Sequence, residues 1–260
     1  MEDFLKRIIK EAGILSKEYF DKGVTFQTKT HLGDLLTEAD LAVNDFLLEE
    51  IKKEYPDHKI TSEERDQVGA DDAQYEWVID PIDGTRNFAK GISMWCNIIA
   101  VVKDGEPYLA AVYNPVGNEL FFAKKDHGAT LNGMPISVCD KQDFDFGAGS
   151  ISCMREETEL YGRYTERFTK FWKRFLDETN TWHQHLGNML GLCFTASGGF
   201  DFFIQNAGLD HDFIAPVLIA REAGAIATDS DGNEWKRGRQ DIIVANPVLH
   251  PKIMAFFPKN

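Results

Sequence analysis

No apolar run in this chain of 260 residues approaches the roughly 20 residues needed to cross a bilayer. Cysteine is scarce. Its four copies, Cys96, Cys139, Cys153 and Cys193, include no Cys-x-x-Cys pair, which argues against a disulfide framework or a zinc module and reads as buried thiols in a reducing cytoplasm. Positive charge is also in short supply: 28 Lys and Arg stand against 42 Asp and Glu, for a formal charge of -14. Such a balance argues against a nucleic-acid binder and against a protein docked on a membrane surface. It leaves open a small phosphorylated substrate, because bound divalent cations reverse the local field. Internal repeats and low-complexity segments are absent. The start, Met1 to Arg7, has neither the basic opening nor the apolar stretch of a signal peptide, so the expected compartment is the cytoplasm.

What the chain does have is enough apolar material for a substantial core, 43% hydrophobic and 12% aromatic. Phe4, Ile8, Ala12, Leu15 and Tyr19 recur at helical spacing and predict a helix from residue 3 to about 21. Lys29 to Asp34 reads as a turn or hairpin. A second helix begins at the capping-box-like Thr37-Glu38-Ala39-Asp40 and stops before Pro56. From residue 59 to about 123 five strands alternate with Gly and Pro turns, which suits a mostly antiparallel sheet. A polar stretch near 140 to 150 suggests a boundary, with an α+β subdomain over residues 1–145 and an α/β subdomain over 146–260. The second part predicts strands at 149–152, 200–205, 225–229 and 241–244 and helices at about 158–177, 187–197 and 212–223.

The most informative stretch is Trp77-Val-Ile-Asp80-Pro-Ile-Asp83-Gly84-Thr85-Arg-Asn-Phe88. A buried strand ends there in two acids, and a Gly-Thr pair follows. Asp80 and Asp83 offer hard anionic oxygens, the Ile82 carbonyl adds a neutral one, and Gly84 lets backbone come close to a ligand. On its own the stretch also reads as a capped turn. Two further acidic element ends tip the balance: Glu63-Glu64 closes a short strand, and Asp210-His211-Asp212 opens a helix. Carboxylates converging from separate elements are how oxygen cages for magnesium are built.

With Glu63-Glu64, Asp80 to Thr85, and Asp212 followed by Ala215 and Glu222-Ala-Gly-Ala225 in that order, the chain resembles the inositol monophosphatase superfamily of magnesium-dependent, lithium-sensitive phosphatases. Lys29, the segment Asp34-x-x-Thr37-x-x-Asp40, Tyr113-Asn-Pro115, Asn118-Glu-Leu-Phe121, Leu131-Asn-Gly133 and Ala196-Ser-Gly-Gly199 extend the likeness over nearly the whole chain. The resemblance implies a layered αβαβα sandwich of mixed α/β class, a homodimer, and hydrolysis of a phosphate monoester with two or three Mg2+ ions. It also implies Glu63, Asp80, the Ile82 carbonyl, Asp83 and Asp212 as metal ligands, with most of them in the first subdomain and the second completing the site. By the same likeness Thr85 and Asp40 orient and deprotonate the attacking water, Glu63 holds the catalytic ion, and Asp83, Gly84, Thr85, Asn188, Gln205 and Asp212 meet substrate.

The chain departs from the pattern at three places. His211 stands where many members carry Trp, and it would fill that space, hydrogen-bond a ligand carboxylate or face the substrate; a structural or supporting role is expected rather than metal ligation, because Mg2+ prefers oxygen. Gln205 replaces a glutamate that inositol-cleaving members use on a ring hydroxyl. Leu186-Gly-Asn188-Met189 replaces a run of small residues. These departures leave the substrate open; on the resemblance, inositol 1-phosphate is the first candidate. Histidinol phosphate, fructose 1,6-bisphosphate and 3'-phosphoadenosine 5'-phosphate are alternatives, and a weakly catalytic regulatory or RNA-polymerase-associated binding protein is the alternative from another class.

Overall fold

The apolar stripe Phe4, Ile8, Ala12 and Leu15 does wind into a helix, α1 (Glu2–Lys22), which buries Leu5, Ile8, Ile9 and Ala12. The computed structural model describes residues 1–23, 25–28, 35–152 and 162–258. After α1 come β1 (Phe26–Thr28), β2 (Leu35–Thr37), α2 (Glu38–Glu54), β3 (Lys59–Ser62), β4 (Tyr75–Asp83), α3 (Thr85–Ala89), β5 (Cys96–Lys103), β6 (Glu106–Asn114) and β7 (Glu119–Lys124). The order continues with β8 (Ala129–Leu131), β9 (Met134–Pro135), β10 (Ala148–Ser152), α4 (Gly162–Glu178), β11 (Trp182–Gln184), α5 (Leu190–Ala196), β12 (Phe202–Gln205), α6 (Asp210–Glu222), β13 (Ile226–Thr228), β14 (Ile242–Ala245) and α7 (Leu249–Met254). Among the described residues no helix is long and apolar enough to cross a membrane.

The chain divides into two compact units. The first holds Met1–Pro135, Gly187–Leu190 and His211–Ile219, and the second holds the rest. In the first unit seven strands run in sequence order, β3 to β9. Only β3 and β4 pair in parallel, so the sheet is mostly antiparallel. Period-two alternation sends Trp77, Ile79, Ile99, Val101, Leu109 and Ala111 to one face, where they pack with Leu5, Ile8 and Ile9 of α1 and Val43, Leu47 and Ile51 of α2. The intervening Val78, Ile98, Ala100, Ala110 and Val112 are buried too, so the central strands are covered on both faces.

The second unit carries the mixed sheet β11-β10-β12-β14-β13. Phe168, Phe171 and Phe175, three and four residues apart on α4, form an apolar face. It packs against Ile151, Phe202, Ile204, Ile243 and, from α7, Leu249 and Ile253. The second helix expected in this half begins at Leu190 rather than 187. Gly187 has φ +70, and the Met189 N–H is given to the Asp83 carboxylate instead of to a helix turn.

Candidate functional site

Residues three apart on a regular strand point to opposite faces, so Asp80 and Asp83 would not meet one ligand from an unbroken β4. The ladder with β5 removes that obstacle. Asp80 pairs with Ile98 and Asp83 with Cys96, three steps on β4 against two on β5, and the extra residue is a bulge. Both carboxylates thereby turn the same way. Pro81 lies inside the bulge, where a missing N–H leaves no gap in the ladder. The Asn97 side-chain amide donates to the Pro81 carbonyl at 2.5 Å and pins the distortion from the neighbouring strand.

Immediately after the bulge, Gly84 adopts φ +93, ψ +35 as the residue before α3. A Cβ there would lie 3.2 Å from both the Met94 carbonyl oxygen and Asn188 Cβ, so conformation and space both require glycine. The Thr85 hydroxyl donates to the Ile82 carbonyl at 3.0 Å. The backbone of Glu63, just past β3, donates to the Ile79 carbonyl at 3.2 Å, which carries the parallel pairing on to the acid. His211 and Asp212 occupy the first turn of α6, where a carboxylate also meets the positive end of the helix dipole.

Two groups of side chains result. Asp80, Asp83 and Asp212 each offer a carboxylate oxygen within 4.8 Å of the others, and Glu63, Asp80 and His211 satisfy the same limit. Asp80 belongs to both. It is 2% exposed, and its Oδ1 has no hydrogen-bond partner within the protein. Burial, then the charges of Glu63, Asp83, Asp212 and Asp40, push its carboxyl well above the usual carboxylate range. For Asp83, burial and the Asp212 charge push the carboxyl up to about 8, against the opposing pull of the Met189 N–H and the Cys96 thiol. Like charges held this close and this dry are costly unless protons or cations neutralise them. The all-oxygen group of Asp80, Asp83 and Asp212, around an unpartnered buried carboxylate oxygen, fits Mg2+.

The remaining sequence-derived candidates are distributed as follows. Asp40 is buried at the third position of α2, where it accepts the Thr37 N–H at 2.7 Å and the Thr37 hydroxyl at 2.5 Å, while its own N–H reaches Thr37 Oγ1 at 3.3 Å. The capping box read from the sequence is formed. Asn188 is 2% exposed; its Nδ2 donates to the Met94 carbonyl and its Oδ1 accepts the Leu190 N–H at 3.1 Å. Both ends of that amide are thus engaged in holding the loop before α5. Gln205 ends β12 in the second unit and turns its Nε2 to the Ala207 carbonyl. Glu63, Asp80, Ile82, Asp83, Gly84, Thr85, His211 and Asp212 belong to the first unit. Lys29 and Asp34, with the turn read over Lys29 to Asp34, lie outside the described residues, as does Cys153.

Two contributors are not among the site residues expected from the sequence. Cys96 is buried, and its thiol donates to Asp83 Oδ2 at 3.2 Å. Asn97 reads simply as a polar residue in an apolar strand. An Asn inside a run as apolar as Ile98 to Val102 is the one signal available for it, since a buried amide needs partners.

A model of the inositol monophosphatase family matches residues 1–260. The Nus factor SuhB of Pasteurella multocida is 30% identical over 250 residues, spanning 95% of this chain and 92% of that protein. A Thermotoga maritima protein named fructose-1,6-bisphosphatase/inositol-1-monophosphatase is 29% identical over 253 residues, 97% of this chain and 93% of its own. Among solved structures, a Thermotoga maritima IMPase matches with a TM-score of 0.86 at 28% identity, covering 98% of this chain and 96% of that one.

Proposed function

The chain belongs to the inositol monophosphatase family, and on that footing we propose that it is a Mg2+-dependent phosphomonoesterase of a small polyol phosphate, with inositol 1-phosphate the first candidate. The observation that carries the reading is Asp80, a buried carboxylate with an unpartnered oxygen that belongs to two groups of metal-competent side chains. Glu63, Asp80 and the Ile82 carbonyl would hold one ion, and Asp80, Asp83 and Asp212 a second. Bound there, divalent cations would neutralise phosphoryl oxygens, lower the pKa of a water and stabilise the leaving alkoxide.

The protein's own groups do the rest. In this reading the backbone N–H groups of Gly84 and Thr85 orient the phosphate. The Thr85 hydroxyl, turned from the Ile82 carbonyl, would position the attacking water and relay its proton to Asp40, whose hydrogen bonds to Thr37 keep the carboxylate in one place. Fructose 1,6-bisphosphate remains a candidate through the name of the Thermotoga maritima relative. Homodimeric assembly and lithium competition at the ion held by Asp83 belong to the same proposal.

The Nus factor name of the Pasteurella multocida relative favours a second reading, a regulatory binding protein. Phosphate release from inositol 1-phosphate, fructose 1,6-bisphosphate, histidinol phosphate and 3'-phosphoadenosine 5'-phosphate, with and without Mg2+, separates the two. Mg2+-dependent turnover of one strongly preferred polyol phosphate is the expected result. No release from any of them at millimolar Mg2+, with or without added Mn2+, would sink the enzymatic reading.

A further inference from the structure

Among the metal-competent side chains, one is not an oxygen donor. His211 Nε2 lies 4.0 Å from Glu63 Oε2 and 3.8 Å from Asp212 Oδ2, both too long for a hydrogen bond. With Glu63 and Asp80 it forms a set whose donor atoms all fall within 4.8 Å of one another. Ligand bonds of about 2.1 Å place neighbouring donors about 3 Å apart and opposite donors about 4.2 Å apart. The set can therefore close onto one ion, with the 4.0 Å between Nε2 and Glu63 Oε2 shortening by about 1 Å if the two become neighbouring donors. Independently of the imidazole, Asp80 supplies a buried oxygen with no hydrogen-bond partner in the protein.

We propose that His211 Nε2 is a direct ligand of the cation held by Glu63 and Asp80, so that this position takes a first-row transition ion of the Mn2+ to Zn2+ type in preference to Mg2+. The inference rests on the phosphatase reading above and refines its first metal site. Mg2+ is small, hard and satisfied by oxygen, and gains little from an imidazole. First-row transition ions gain more from imidazole than Mg2+ does, least at Mn2+ and more at Co2+ and Zn2+. The Asp80, Asp83 and Asp212 group keeps an all-oxygen donor set and stays suited to Mg2+. The two positions thus differ in chemistry although they share a carboxylate.

The test is pulsed EPR on the whole chain, freed of metal and loaded with less than one equivalent of Mn2+. The expected signal is 14N coupling of a directly bound imidazole, converting to 15N coupling when only histidine is 15N-labelled. Titration with Mg2+ should displace the Mn2+ only at about a hundredfold excess or more. His211→Phe fills similar space without a donor. It should lose the nitrogen coupling and about tenfold or more of Mn2+ affinity, while Mg2+ affinity by calorimetry moves less than about threefold. Mn2+ that binds the wild-type chain without histidine nitrogen coupling overturns the inference and leaves the phosphatase reading intact. Failure of the wild-type chain to bind either ion better than Asp80→Asn would overturn both.

Discussion

Between pH 4 and 8 the folded, cation-free protein holds a proton on Asp83 that the unfolded chain releases near pH 4, because burial and Asp212 push the folded carboxyl up to about 8. A folded state that binds more protons loses stability as pH rises, so in the presence of chelator the melting temperature should fall across this window. Asp83→Asn removes the buried charge while keeping shape. It should flatten that fall and raise the chelated protein's melting temperature above wild type near pH 8. Mg2+-dependent phosphate release by the same variant should drop at least roughly a hundredfold. A variant that melts lower than wild type in chelator would contradict the electrostatic account. His250 has the opposite sign. Burial pushes this histidine down to about 4, and its Nε2 faces Thr228 Oγ1 at 3.0 Å. The unfolded chain binds a proton below about pH 6.5 that the folded one resists, so stability present above 6.5 is lost as pH falls toward 4. Denaturant midpoints measured from pH 7 to 4 should decline less in His250→Gln than in the parent.

At the scale of single elements, the end of β4 is where local rules are broken in order to build a site. Its bulge is supported from β5 by the Asn97 amide on the Pro81 carbonyl. Asn97→Ala leaves that carbonyl unpaired in a buried strand and should cost about 1–3 kcal/mol. Cation affinity should fall with it if the bulge is what aligns Asp80 and Asp83; a variant with unchanged affinity would mean the distortion is held some other way. Gly84→Ala meets a positive φ and 3.2 Å contacts with Met94 and Asn188. A loss of about 1–3 kcal/mol in urea denaturation, together with loss of phosphatase activity, is the expected outcome. Other elements follow their sequence signals closely. Lys59 to Ser62 forms the strand read from it, and Thr37 caps α2 as its spacing to Asp40 suggested. The short β11 and α7 gave no such signal, since three and six residues are too few for either periodicity to register.

For the whole molecule, the charge of -14 and the buried acids act in the same direction. Divalent cations that bind only the folded chain should raise its melting temperature in proportion to the logarithm of their concentration above Kd. Monovalent salt at equal ionic strength screens the exposed charges only and should do far less. Equal effects of MgCl2 and ionic-strength-matched NaCl on melting would contradict specific cation binding.

The sequence by itself determined the class of the fold, the order of its acidic motifs and the caps and turns that end its elements, because those depend on residues near one another in the chain. It also carried the family resemblance, since ordered motifs survive without coordinates. Only tertiary structure decided that Asp80 and Asp83 face the same way, because strand parity there is reset by pairing with β5 and not by any residue of β4. The same holds for the Cys96 thiol and Met189 N–H on Asp83, and for His211 meeting Glu63 across 148 positions of sequence (211 less 63). Such contacts are set by how separately formed elements pack, and no local periodicity encodes them.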